Sequence, residues 1–347
     1  MSRVGSTIGV VGAGSWGTTL AKILGENNQW VLMWAFEKEV CAEINDKHQN
    51  SRYVPDVKLP DTVVATNDLQ RICESCHLLL VVVPSHVFRE VTFEMGNYLN
   101  GEQVVVHCTK GIEQETFMRM SEILREETCV RKIGVLSGPN LSRELIQGYP
   151  AGTLVASKYD EVVKLAQRAL GNQYFRVYGG DDVVGAEVGG AFKNILAVAA
   201  GVVDGLKLGD NTKALLIARG LSEMARYGAA MGAEILTFFG MVGIGDLLAT
   251  CASSHSRNLQ TGRRLAQGET REQIQKSMFM VAEGVKTTRA VYLHSKSMGL
   301  TLPIVNTVHG VLYDGMGIQA ALDALMSIEV DREFSELERI QISFQSS

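Results

Sequence analysis

The chain carries no excess of basic charge. Its 33 lysines and arginines are outnumbered by 38 acids, for a formal net charge of -5 and a pI of about 5.9. General binders of nucleic acid or membrane surfaces show a basic bias, so neither is expected as a partner. An anionic small molecule stays compatible, because local cations can outweigh the global sign. Leader character is missing too: the first apolar run, Thr7–Val11, is too short for the core of a secretory signal, and a cytoplasmic location is expected. Cysteine is sparse, six in 347 residues, which excludes a disulfide framework. Cys73-Glu-Ser-Cys76-His77 has the spacing of a haem-attachment string but lacks the export context. The pair also closes a short helix before a strand, whereas a thioredoxin-like motif opens one, and we read it as chance. Repeats and low-complexity linkers are absent.

What is present is an ordinary globular mixture, 46% hydrophobic and 20% charged, long enough for two domains. The first half alternates short β-rich runs with helical patterns. Strands are expected at Thr7–Val11, Trp30–Trp34, Val63–Thr66, Leu78–Val83, Val104–Cys108, Ile133–Ser137, Gly152–Ser157 and Phe175–Tyr178. Helices are expected at Trp16–Glu26, Glu37–Lys47, Val87–Leu99 and Asp160–Leu170. Leu78–Val83 is continuously apolar, as strands covered on both faces are, so an α/β, doubly wound, mainly parallel sheet is expected. After Gly180 strand signals largely vanish. Helical patterns follow at Val183–Leu206, Asn211–Met231, Ser256–Gln267, Val281–Met298 and Ile318–Met326. The expected division is a dinucleotide-binding domain over residues 1–185 and an all-α catalytic domain over 186–347. The tail after Val330 is polar, and partial mobility is expected of it.

Gly12-Ala13-Gly14-Ser15-Trp16-Gly17 fits G-x-G-x-x-G between a strand and a helix, the context that turns a weak motif into a Rossmann-type fingerprint. The glycines serve a tight turn, a close approach to pyrophosphate and helix packing, and the helix N-terminus faces the phosphate. Past the second strand, Phe36 is placed to lie against adenine or to pack at the strand end. Glu37 could pair with ribose hydroxyls or simply open the next helix; Lys38 and Lys47 are the cations within reach of a 2′-phosphate. NAD(H) and NADP(H) both stay open. A pocket wall or a plain strand stop is expected at Val83-Pro84-Ser85.

The run 183–206 is long enough to raise the question of a membrane span. Its charges, amide and glycines argue for a buried soluble helix, without stable membrane insertion. In its middle lies Lys193, within Gly190-Ala191-Phe192-Lys193-Asn194. A buried ammonium without partners is costly, and packing has no use for one. A lysine held in a closed site can hand a proton to a substrate oxygen. Three further segments end or follow strands and helices with polar groups. Thr109-Lys110-Gly111 puts a lysine at a strand's carboxyl end. Ser137-Gly138-Pro139-Asn140 puts a glycine where a ligand could approach the backbone. Ser256-Arg257-Asn258 opens a helix, as a phosphate cradle or as an ordinary Ser cap with an exposed arginine. Asp246, in the loop after Val242-Gly243-Ile244-Gly245, either caps the helix near Leu247 or pairs with a lysine.

Together these strings closely resemble the bacterial-type NAD(P)-dependent glycerol-3-phosphate dehydrogenases, over roughly Ile8 to Ala324. The matching segments are Gly12–Gly17, Thr109–Gly111, Ser137–Asn140, Gly190–Gly201, Gly245–Asn258 and Val281-Ala282-Glu283-Gly284. The resemblance implies reduction of dihydroxyacetone phosphate to sn-glycerol 3-phosphate, a precursor of membrane phospholipids. It implies Lys193 as catalytic acid/base, supported by Asp246, Lys110 and Asn194. Lys110, Gly138, Asn140, Lys193, Asp246, Ser256, Arg257 and Asn258 would contact the substrate. Gly12, Gly14, Ser15, Trp16, Gly17, Phe36, Lys110, Ser142, Arg257, Val281 and Glu283 would contact the cofactor. No metal is assigned a role, and a homodimer is expected. Asn140, Ser142 and Phe36 depart from the family's commoner residues. The competing readings are a dehydrogenase of the 3-hydroxy-acid or 6-phosphogluconate type and a nicotinamide-binding sensor without catalysis.

Overall fold

A computed structural model of the chain describes residues 7–278, 282–328 and 333. It divides into two compact units at Val183/Val184, with Gly111–Met118 grouped with the second.

Among the described residues the first unit has ten strands: β1 (Ile8–Val11), β2 (Val31–Trp34), β3 (Gln49–Asn50), β4 (Val54–Lys58), β5 (Val63–Thr66), β6 (Leu78–Val81), β7 (Val104–His107), β8 (Lys132–Ser137), β9 (Ala151–Ala156) and β10 (Phe175–Gly180). Its helices are α1 (Ser15–Glu26), α2 (Lys38–Lys47), α3 (Leu69–Ser75), α4 (Phe88–Gly96), α5 (Met120–Glu127), α6 (Ser142–Leu145) and α7 (Asp160–Leu170). Eight strands form one sheet in the order β10-β9-β8-β7-β6-β1-β2-β5. All neighbours are parallel except β8 and β9. Every residue of β1, β2, β6 and β7 is buried, which explains sequences that are apolar throughout apart from His107 at the end of β7. Successive strands lie on both sides of β1, so the chain reverses its direction of winding between β1 and β6. That is the switch point at which open α/β sheets bind ligands. The expected strands are all present to within a few residues. The β3–β4 hairpin, α5 and α6 were not expected. The predicted helix 87–99 is shorter, ending at Gly96 after a 3-10 turn at Ser85–Val87.

The second unit contains α8 (Val183–Gly205), α9 (Asp210–Ala230), α10 (Asp246–Ala252), α11 (Arg257–Ala266), α12 (Arg271–Ser277), α13 (Glu283–Ser297), α14 (Pro303–Tyr313) and α15 (Ile318–Met326). No strand occurs among its described residues. Helices α12 and α14 were not expected. The start proposed for the fourth helix, at Val281, lies outside the described residues, as does the tail beyond Val330 except Glu333. Helix α8 is the one described helix long and apolar enough to cross a membrane, and 89% of its apolar window is buried inside the protein. It is a core helix, packed through Val188, Phe192, Ile195, Leu196 and Val203.

Small residues let other elements approach α8 closely. A side chain at Gly189 would stand 2.4 Å from the carbonyl of Val242, in the π-turn Met241–Gly245 that delivers α10. A side chain at Gly201 would stand 2.1 Å from the carbonyl of Leu259 in α11. The glycines of this helix are therefore packing surfaces, and they bring α10 and α11 against the segment that bears Lys193.

Candidate active site

The functional residues expected from sequence fall into two groups, one in each unit. In the first unit they occupy the carboxyl ends of parallel strands. Gly12 follows β1 with φ of +117°, and a side chain there would meet the Val82 backbone at 3.1 Å. At Gly17 an added Cβ would lie 1.9 Å from the Gly12 carbonyl oxygen, so only glycine lets α1 start so close to the strand. At Gly14 it would meet nothing within 4 Å. Gly14 is also the N-cap of α1, without a side-chain cap, and no acid stands in the first turn. Open space in front of uncapped N–H groups, with no competing carboxylate, fits a dinucleotide pyrophosphate.

The unexpected β3–β4 hairpin braces this loop. Asn50 Nδ2 donates to the Ala13 carbonyl and to Thr18 Oγ1, each at 2.8 Å. Ser15 Oγ donates to the Tyr53 carbonyl at 2.9 Å. Trp16 packs on the core, with its indole nitrogen buried and without a hydrogen-bond partner. Phe36 is 80% exposed, and Trp34 meets it edge-on. Glu37 is the N-cap residue of α2, but its side chain does not cap; it is held by Tyr53 and Arg52.

Farther along the same edge, Lys110 Nζ donates to the Gly138 carbonyl at 2.9 Å. Gly138 has φ of +148° and lies against Thr153, where a Cβ would be 3.1 Å from the backbone, so glycine is required for geometry. Asn140 Nδ2 donates to Thr153 Oγ1 at 3.0 Å, while its buried Oδ1 has no hydrogen-bond partner. Ser142 is the first residue of α6. Pro84 precedes the turn that follows β6.

In the second unit the buried lysine has found its partners. Lys193 is 7% exposed, Asp246 1% and Thr250 5%. Lys193 Nζ donates to Asp246 Oδ1 and, at 2.8 Å, to Thr250 Oγ1; Thr250 Oγ1 in turn donates to Asp246 Oδ1 at 3.4 Å. One hydroxyl thus accepts from the ammonium and donates to the carboxylate, closing a triad. Thr250 was missed from sequence. Its signal was spacing: it lies four residues after Asp246, on the same face of α10. Of the two roles weighed for Asp246, the structure shows the pairing; it opens α10 without capping it.

Asn194, beside Lys193, accepts from Asn258 Nδ2 at 2.9 Å, and Asn258 Oδ1 accepts from the Gly284 N–H at 2.9 Å. This amide chain ties α8, α11 and the first turn of α13 together. Ser256 caps α11, accepting from the Leu259 N–H at 3.3 Å. Arg257, its first residue, keeps an exposed surface, yet surrounding protein desolvates the guanidinium and draws its pKa below the usual arginine value, while the Glu283 carboxylate opposes that shift. Val281 lies outside the described residues. The cysteine motif is inert: burial pushes both Cys73 and Cys76 up to about 12, so neither thiol is a nucleophile near neutral pH.

Comparison with known proteins gives the family. The profile of the NAD-dependent glycerol-3-phosphate dehydrogenase N-terminus matches residues 7–163, and that of the C-terminus matches residues 182–323. Glycerol-3-phosphate dehydrogenase [NAD(P)+] from Bacillus anthracis is 44% identical over 322 residues, 92% of this chain and 95% of that one. Among solved structures, glycerol-3-phosphate dehydrogenase from Coxiella burnetii superposes with a TM-score of 0.89 at 34% identity, covering 93% of this chain and 99% of that one. The enzyme from Saccharomyces cerevisiae gives 0.82 at 27% identity, over 92% and 99%. The chain belongs to the NAD(P)-dependent glycerol-3-phosphate dehydrogenase family, oxidoreductases whose cofactor is NAD(H) or NADP(H).

Proposed function

We propose that the chain reduces dihydroxyacetone phosphate to sn-glycerol 3-phosphate in the cytoplasm, as a homodimer, supplying phospholipid synthesis. Residues 1–185 serve dinucleotide binding and residues 186–347 catalysis. The observation that carries the reading is the buried Lys193–Asp246–Thr250 triad.

When bound, a nicotinamide cofactor would supply hydride to C2 of the ketone. Lys193 gives a proton to the C2 oxygen, so ketone, hydride and proton add up to the secondary alcohol; in the oxidative direction it takes that proton back. Asp246 and Thr250 hold the ammonium in one orientation and stabilise its charge until the proton leaves. The capped start of α11, with Ser256 and Arg257, grips the phosphate, and binding energy at that remote end helps position the reacting carbon. Asn194 and Asn258 keep α11 in register with α8. Lys110, Gly138 and Asn140 contact the substrate. Gly12, Gly14, Ser15, Trp16, Gly17, Phe36, Lys110 and Ser142 are the first unit's proposed cofactor contacts, and Arg257, Val281 and Glu283 those of the second.

A substrate panel tests this. Oxidation of NADH or NADPH with dihydroxyacetone phosphate, and little with 3-hydroxy acids in reverse, is the expected result. Turnover of a 3-hydroxy acid without turnover of dihydroxyacetone phosphate would overturn it. Arg257→Ala should raise KM for dihydroxyacetone phosphate more than for a ketone lacking phosphate. Equal effects on both would remove Arg257 as the phosphate anchor.

A further inference from the structure

We propose that Asn50 is the residue that positions the glycine loop for a cofactor pyrophosphate, by donating to the Ala13 carbonyl; this deepens the dehydrogenase reading and rests on it. A loop that offers its N–H groups to an anion has to turn its carbonyl oxygens elsewhere, because an oxygen facing phosphate repels it. Those carbonyls then need donors inside the protein. The β3–β4 hairpin brings such a donor to the loop from 37 positions away.

Asn50 ends β3, where the antiparallel pairing with β4 shifts register between Gln49 and Asn50. It is 1% exposed. Nδ2 spends one hydrogen on the Ala13 carbonyl and the other on Thr18 Oγ1, each at 2.8 Å. Thr18 Oγ1 turns its own hydrogen to the same carbonyl at 3.3 Å. The Ala13 oxygen therefore accepts from two buried donors and is fixed inside the protein. Gly14, the next residue, has open space before it and opens α1 without a side-chain cap, so the first N–H groups of the helix stay available to an anion. The same hairpin holds Ser15 through the Tyr53 carbonyl, and the Tyr53 N–H donates to the Asn50 carbonyl at 3.2 Å.

Packing alone does not account for this amide. Its Oδ1 is buried and has no hydrogen-bond partner among the described residues, which is a cost to the folded state. Leucine has the same branched outline and no orphaned acceptor, so a site that needed only bulk would be better filled by it. What leucine lacks is the pair of N–H hydrogens. The orientation of the amide is set by its neighbours as well: with nitrogen and oxygen exchanged, an oxygen would face the Ala13 carbonyl.

Fluorescence titration of the full-length protein with NADH and with NADPH, and displacement by ADP, all without substrate, test the idea, with kcat and cofactor KM measured alongside. Asn50→Leu should weaken NADH, NADPH and ADP alike, by about tenfold, because all three carry the pyrophosphate. Cofactor KM should rise in step, while kcat at saturating cofactor stays within about threefold of wild type. The melting temperature of the cofactor-free protein should hold or rise, since the orphaned acceptor is gone. A role confined to the fold would instead lower melting temperature and kcat together. Thr18→Val removes the second donor and spares the bond from Asn50 to Ala13. It should weaken the same three ligands by a smaller factor, and it carries the test if Asn50→Leu does not fold. Unchanged affinities, or a kcat that falls as far as the affinity does, would overturn the proposal. Weakened dinucleotide binding in Asn50→Leu, beside a wild type that does not turn over dihydroxyacetone phosphate, would leave it standing and strike the substrate reading instead.

Discussion

The two units arrange for chemistry in opposite ways. In the first, the candidate functional surface is mostly backbone: glycines, uncapped N–H groups and strand ends. Such a surface is spoiled by adding atoms. In the second, it is a set of buried side chains that satisfy one another, and it is spoiled by removing them. The difference follows from the ligands each unit would meet. A pyrophosphate needs many weak donors and close approach, whereas proton transfer needs one group of the right kind, held still.

The largest effect should come from deleting the proposed proton donor. Lys193→Ala should lower kcat by about a thousandfold or more while nucleotide affinity stays within a few-fold of wild type. It also leaves the Asp246 carboxylate buried without its ammonium, so a stability loss of about 3–5 kcal/mol should accompany it in denaturant titrations. Near-normal kcat would erase the contrast between the units. The converse experiment adds one methyl group to the first unit. Gly17→Ala puts a Cβ against the Gly12 carbonyl, so the α1 N-terminus must move, and NADH and NADPH binding by titration should both be lost. Retained binding would mean that the backbone surface tolerates more than its spacing suggests.

A finer cut separates the triad's members. Thr250→Val keeps shape but removes the hydroxyl between ammonium and carboxylate. A hydrogen bond to a charged group is worth about 1.5–3 kcal/mol, so kcat should fall by about ten- to a hundredfold with cofactor affinity unchanged. An equal loss of cofactor binding would show a structural role only.

The smallest expected effect lies away from the triad. His309 is stacked between Tyr292 at 3.7 Å and Tyr313 at 4.9 Å, with Asp314 Oδ2 3.0 Å from its Nδ1. Burial draws its pKa below the ordinary 6.5; Asp314 opposes this, and Lys296 and Arg289 reinforce it. Lys296 and Arg271 close the column, over Tyr292 and Tyr313 respectively. The unfolded chain therefore takes up a proton at a higher pH than the folded one. Stability should be level above the unfolded value, fall as pH drops through it, and stop falling below the folded value. His309→Gln should flatten that part of the melting-temperature profile.

Much of this was legible in the sequence, for identifiable reasons. Strands buried on both faces announce themselves as unbroken apolar runs, as at Leu78–Val81. The lysine in α8 was conspicuous because its neighbours are apolar. The β3–β4 hairpin was not legible: its strands are short, and β4 is mostly exposed, so no periodicity marks it. Its importance lies in Asn50 and Tyr53, whose partners are distant in sequence. Thr250 escaped for a similar reason. A threonine in a short helix is unremarkable until the ammonium it meets is known, and that ammonium comes from another helix.

Lys193 and Asp246 are 53 positions apart along the chain. Helix formation alone cannot bring them together; only docking of α10 on α8 does so. Recovery of turnover after dilution from denaturant should then lag behind the return of helical circular dichroism, making catalysis a reporter of tertiary assembly.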